Sequence, residues 1–163
     1  MTAPLVVFAV GNPSRGDDAI GPVICGRLAK WLENERLADR VELSEYFQLN
    51  IELALALRNR ELALFIDDGE NTPAPYIFPR IYQSTATAHT THALPREAVL
   101  QVYRQMDDRE PPPAFVLCVR GEGFELGAPL TAAAESHSAL ACDLLMALCR
   151  GLTLADWRRV VNS

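Results

Sequence analysis

The chain has 163 residues, 49% of them hydrophobic, which is enough for one buried core and too little for two independent domains. Its 21 acidic side chains outnumber 15 basic ones, and the formal charge of -6 is the wrong sign for a surface that must neutralise phosphates, so nucleic acid is set aside as a partner. The first apolar run has no positive flank and stops at Gly11, and no later run is long enough to cross a bilayer, so neither a signal peptide nor membrane insertion is expected and the cytoplasm is the expected compartment.

Residues 5–10, Leu-Val-Val-Phe-Ala-Val, form a continuous apolar, β-rich run ending on Gly11-Asn12-Pro13, the pattern of a central strand buried on both faces. From Ile20 the apolar Val23, Ile24, Leu28, Trp31 and Leu32 recur at helical spacing, with Arg27, Lys30, Glu33 and Glu35 off that stripe, which predicts the first helix. Residues 41–46 alternate partly and predict a second strand, followed by a short Leu/Ala-rich helix over 51–57. Residues 62–66 read as another buried strand, broken at Asp67-Asp68-Gly69. Beyond the proline-containing loop at 71–75, residues 77–82 fit a strand only if Pro79 lies at an edge or a bulge.

Pro95 suits the first position of a helix reaching about residue 106, because the N–H it lacks would have no partner there. Residues 107–113 are a charged, proline-rich break, 114–119 a buried strand, 120–129 a glycine-containing loop and 132–148 a long helix. The tail around Trp157 carries no clear pattern. Apolar strands alternating with helices predict an α/β fold: a single three-layer domain over 1–163, with a mostly parallel twisted sheet of about five strands and helices on both faces. In such sheets ligands sit beyond the carboxyl ends of the strands, where strand order reverses.

Three places at such ends carry polar groups. The first is residues 11–21, Gly-Asn-Pro-Ser-Arg-Gly-Asp-Asp-Ala-Ile-Gly, which has neither the G-K-[ST] of a P-loop nor G-x-G-x-x-G, and whose two acids would repel phosphate. Asp17 or Asp18 could equally cap the helix that follows. The second is Asp67 with Asp68, immediately after Leu64-Phe65-Ile66, where a plain turn-forming role competes with a functional one. The third is Thr90-Thr91-His92 ahead of the Pro95 helix; a lone loop histidine is often just a hydrogen-bonded surface residue, and His89 and His137 lack comparable surroundings.

Two carboxylates and an imidazole from separate segments suit a divalent metal with open coordination positions, and without a thiolate they do not point to structural zinc. A Ser-His-Asp triad is disfavoured because there is no G-x-S-x-G elbow and Ser14, Ser44, Ser84 and Ser136 lack any defining context. Cys25, Cys118, Cys142 and Cys149 form no C-x-x-C pair and read as buried thiols in a reducing compartment.

Read as it stands, the loop Gly-Asn-Pro-Ser-Arg-Gly-Asp-Asp-Ala-Ile-Gly-Pro resembles the opening signature of the hydrogenase maturation proteases, and other pieces follow in that family's order. An apolar strand ends on Asp67, Thr90-Thr91-His92 precedes a helix, and Phe124-Glu125-Leu126-Gly127 follows the last strand, so the resemblance spans nearly the whole chain. It implies a cytoplasmic, monomeric endopeptidase that removes the C-terminal extension of a nickel-iron hydrogenase large-subunit precursor once nickel is inserted. It further implies that Asp18, Asp67 and His92 contact the nickel of the loaded precursor and carry the chemistry, and that a surrogate divalent ion such as cadmium or zinc would fit them in a crystal.

Two segments depart from the family pattern. Tyr46-Phe47-Gln48-Leu49-Asn50 stands where many members have Asp-Gly-Gly, and Arg120-Gly121-Glu122-Gly123 where Gly-Ile-Gln-Pro is usual. Both would border the site and bear on which hydrogenase is the partner; the Gln48-Leu49 form is closer to the branch serving soluble, NAD-linked enzymes.

On this reading the ion serves either as a recognition tag that marks a loaded precursor or also as a Lewis acid that polarises the scissile carbonyl and activates a water while a carboxylate takes the proton. The rival readings are a non-catalytic, nickel-dependent chaperone for the same precursor and a flavodoxin-like cofactor domain, the latter disfavoured by the lack of a phosphate-cradling loop. Asp17, left to cap the helix or hold the loop, should tolerate Asp17→Asn at a cost of about 0.3 to 1 kcal/mol.

Overall fold

The computed structural model describes residues 2–83 and 96–161. Four strands, β1 (Leu5–Val10), β2 (Val41–Tyr46), β3 (Leu62–Gly69) and β6 (Ala114–Arg120), lie parallel in the order β2-β1-β3-β6. Two short strands, β4 (Tyr76–Ile77) and β5 (Arg80–Ile81), run antiparallel along the outer side of β6. The segment expected as one strand at 77–82 is thus two short pieces at a sheet edge, split around Phe78 and Pro79, the place where a residue without an N–H is tolerated. The ladder still uses that point, since Val116 N donates to Pro79 O at 3.0 Å.

The alternating side chains of each strand build two cores. On one face Leu5, Val7, Leu64, Ile66, Phe115 and Leu117 pack under α1 (Ile20–Asn34), α3 (Ala132–Gly151) and α4 (Leu154–Arg159). On the other, Val6, Phe8, Phe65 and Val116 pack under α2 (Arg96–Asp107) and the 3-10 turns over Ile51–Leu57. This is the three-layer α/β arrangement that the apolar strands require. No helix among the described residues is long and apolar enough to cross a membrane.

Three boundaries differ from the sequence reading. β3 does not break at Asp67 but runs on to Gly69, because β6 is long enough to pair Asp67, Asp68 and Gly69 with Cys118, Val119 and Arg120. α3 continues to Gly151 and stops where Leu152 takes a left-handed conformation (φ 48°). The unassigned tail forms α4, capped by Thr153 Oγ1 accepting from Asp156 N at 3.2 Å. α4 buries Trp157 completely against Phe78 and Phe115, with ring centroids 5.7 and 5.2 Å away.

The chain leaves β1 for β2 on one side and returns past β1 to β3 on the other. Strand order therefore reverses between β1 and β3, and their carboxyl ends open the crevice in which ligands of such sheets bind.

Candidate metal site at the carboxyl edge of the sheet

The loop after β1 is held against that edge by close backbone approaches. Gly11 has φ of +153°, and a Cβ there would lie 2.0 Å from the Asp18 carbonyl oxygen; Gly16 has φ of +54°, and its Cβ would lie 2.3 Å from Gly123 O. Only glycine fits either position. Between them Asn12 Oδ1 accepts from Ser14 N at 2.9 Å, a local turn, while Asn12 N donates to Asp18 Oδ2 at 2.8 Å.

Asp17 and Asp18 point to different tasks. Asp17 is fully buried, and its Oδ2 accepts from Glu122 N (2.7 Å), Gly123 N (3.1 Å) and Thr131 Oγ1 (2.8 Å) while Oδ1 accepts from Thr131 N (2.8 Å). Burial pushes its carboxyl up, but the hydrogen bonds to the ionised form win and hold it below the usual carboxylate range. Asp17 thus ties the β1 loop to the loop after β6 and to the start of α3, where Thr131 in turn accepts from Ala134 N. It makes no cap to the short 3-10 turn at Gly16–Ala19 or to α1, so the capping role open in the sequence is not the one it takes.

Asp18 instead faces the end of β3. One carboxylate oxygen each from Asp18, Asp67 and Asp68 lie within 4.8 Å of one another. Because β3 continues through both acids, their side chains leave opposite faces of the strand, yet one oxygen of each lies within 4.8 Å of Asp18. Asp67 Oδ1 accepts from Asp68 N at 2.8 Å and Oδ2 from Arg96 Nη1 at 3.0 Å. Burial raises the Asp67 carboxyl, with the Asp18 charge adding to it, and the Asp68 N–H and Arg96 offset only part. Asp68 is driven up more strongly, first by burial and then by the Asp18 carboxylate as hydrogen-bond partner and by the charges of Asp67 and Asp17. Its buried Oδ2 has no hydrogen-bond partner among the described residues.

Three carboxyl groups this close, one with a buried oxygen that has no partner among the described residues, can hold a divalent cation. Ligand oxygens on one divalent ion stand about 2.0 to 2.6 Å from it, hence at most about 5 Å apart, and the cluster meets that limit before any side chain moves. Of the residues singled out in the sequence, Asp18 and Asp67 come together here, while His92 lies in the stretch 84–95, outside the described residues. Asp68 is the member that sequence reasoning passed over in favour of its neighbour; two successive acids at a strand's carboxyl end were the available signal. His137 contacts Arg120 O through Nδ1 at 3.2 Å and is not among the grouped carboxylates. Cys25, Cys142 and Cys149 are buried and Cys118 half-buried, its Sγ 3.2 Å from Thr72 Oγ1. All four thiols are pushed up by burial, to about 11 for Cys25 and about 12 for Cys149, so none is an activated nucleophile.

No family model and no curated protein matches the sequence. Solved structures do match the fold. The chain is similar to the hydrogenase maturating endopeptidase HybD from E. coli, with 24% identity, 90% of this chain and 91% of that chain covered and a TM-score of 0.69. It is likewise similar to a NiFe hydrogenase maturation protease HycI from Thermococcus kodakarensis KOD1, at 18% identity, coverage of 92% and 94% and a TM-score of 0.67. An endopeptidase HycI from Escherichia coli aligns at 17% identity over 91% of each chain with a TM-score of 0.63.

Proposed function

We propose that this protein is an endopeptidase that removes the C-terminal extension of a nickel-iron hydrogenase large-subunit precursor after nickel has been inserted, acting as a monomer in the cytoplasm. The observation that carries the reading is the meeting of Asp18 and Asp67 at the point where strand order reverses, within a fold shared with solved maturation proteases. Nickel arrives as part of the substrate. Asp18, Asp67 and His92 grasp it, and the open positions are filled by ligands of the precursor itself.

Held there, nickel would supply Lewis-acid chemistry to the scissile carbonyl and to an attacking water, with Asp18, Asp67 and His92 as the residues that hold it. Asp68 adds a role that the sequence reading lacked. It lies at the same edge as Asp18 and Asp67, and a carboxylate there can take the proton of the attacking water and return it to the leaving amine. No serine or cysteine is needed. The segments around Phe47-Gln48-Leu49 and Gly121-Glu122 follow β2 and β6 at the carboxyl edge, and differences there are taken to choose among precursors.

The test is to mix the purified protein with precursor carrying or lacking nickel and to weigh the products. Loss of the C-terminal extension from loaded precursor alone is expected. Equal cutting of both forms would refute nickel reading, and stable binding of loaded precursor without cutting would favour the chaperone alternative.

A further inference from the structure

Arg96 is the first described residue of α2, and its guanidinium projects into the carboxylate cluster from the side opposite α1. It holds Asp67 by one contact, Nη1 to Oδ2 at 3.0 Å, and its buried Nε has no hydrogen-bond partner among the described residues. A guanidinium committed to a carboxylate for structure alone would use its planar fork for two parallel bonds, as Arg58 does by giving both Nε and Nη2 to Asp107. Arg96 makes the weaker form, in a place where burial makes an unmet donor costly. Among the described residues it supplies the one ion pair that reaches Asp18, Asp67 or Asp68. Unlike a histidine or a lysine it cannot release its charge by losing a proton.

A dication entering the cluster needs Asp67, whose Oδ1 is engaged by the Asp68 N–H and whose Oδ2 is engaged by Arg96. It must displace the guanidinium or bind beside a fixed positive charge, and either lowers its affinity. We propose that Arg96 is a built-in stand-in for the metal: it occupies Asp67 in the free protein, makes the cluster reject loose divalent cations, and yields only to an ion presented by a docked partner. The last clause rests on the nickel-reading function proposed above; the competition between Arg96 and a cation does not. Such a competitor would keep the free protein from filling with whichever divalent ion is abundant, so that the metal read is the one in the precursor.

The experiment is isothermal titration of the full-length free protein with zinc and with nickel, comparing wild type, Arg96→Gln, Arg96→Ala and the double variant Arg96→Gln/Asp67→Asn. Removing the competing charge should tighten binding of both ions about tenfold or more in either single variant, the scale expected when a partly buried ion pair no longer has to be broken. The added affinity should vanish in the double variant. Metal should raise the melting temperature of Arg96→Gln more than that of wild type. Unchanged or weaker binding in both single variants would overturn the assignment and leave Arg96 a structural partner of Asp67. Should a variant fail to fold without metal, zinc must restore its circular dichroism spectrum, and failure to do so overturns the assignment equally. Because no precursor is present, a protein that cuts nothing would still give a decisive answer about Arg96.

Discussion

Asp17 and Asp18 are neighbours in the chain with opposite relations to solvent and charge. Four donors converge on Asp17, three on one oxygen, and its ionised form is the one they satisfy. Asparagine has a single acceptor oxygen, and its amide would turn two hydrogens toward donors that already point inward. Asp17→Asn should therefore cost about 3 kcal/mol or more, since charge-assisted bonds are lost and a buried donor is stranded. This replaces the mild cost that a helix-cap role implies. Asp18→Asn keeps an oxygen for Asn12 N and relieves repulsion from Asp67 and Asp68, so stability should change by less than about 1 kcal/mol while processing of loaded precursor stops. Urea midpoints and precursor mass together check the pair. A stable, active Asp17→Asn with an unfolded Asp18→Asn would show the two roles to be exchanged. The sequence singles out both acids through loop composition, yet which one turns inward depends on donors more than 100 residues further on, and no local pattern carries that.

At the scale of elements, what the sequence made legible is what periodicity can reach. β1, β2 and the body of α1 appear at their expected places because continuous apolar runs and a 3.6-residue stripe are properties of the segment itself. The extension of β3 through Asp67 and Asp68 is not, since acids after an apolar run read as a turn until a longer partner strand pairs with them. The resemblance assigns the contact to Asp67, the first acid after the apolar run, and carries no signal for Asp68. α4 has six residues, too few for a period, and its reason for existing is Trp157, which fills the space between β6 and the edge residue Phe78. Trp157→Ala should cost about 3 to 5 kcal/mol through the cavity it leaves. Trp157→Phe should cost clearly less, because the buried indole Nε1 has no partner among the described residues and its removal strands nothing. Hydrogen exchange should locate the damage at the edge, with the Val116 amide, which donates to Pro79 O, exchanging faster in Trp157→Ala. Equal losses in the two variants would mean that the indole N–H, and not its packing, holds α4 down.

Across the whole molecule, one sheet edge gathers carboxylates with opposite shifts, and folding stability must depend on pH accordingly. Asp17 is lowered in the folded state, so it takes up protons more readily when unfolded; its contribution is complete above the ordinary carboxylate value near 4 and disappears as pH falls through its folded value. Asp67 and Asp68 are raised, so the folded chain holds protons that the unfolded chain has already released; their effect is a loss of stability as pH rises from about 4 upward through their folded values. The two slopes meet in a maximum near the ordinary carboxylate value, well below neutrality. Asp68→Asn removes the largest raised group and should flatten the limb on the alkaline side while leaving the acid limb, which belongs to Asp17, in place. Added zinc should reverse the alkaline limb of the Arg96→Gln protein, because carboxylates that cost energy when ionised alone become ligands when a cation shares them. Urea unfolding from pH 3.5 to 8.5 reads all three slopes. An Asp68→Asn protein that loses stability with rising pH as steeply as wild type would show that the strain at this edge resides elsewhere, and would remove the electrostatic argument for a cation site there.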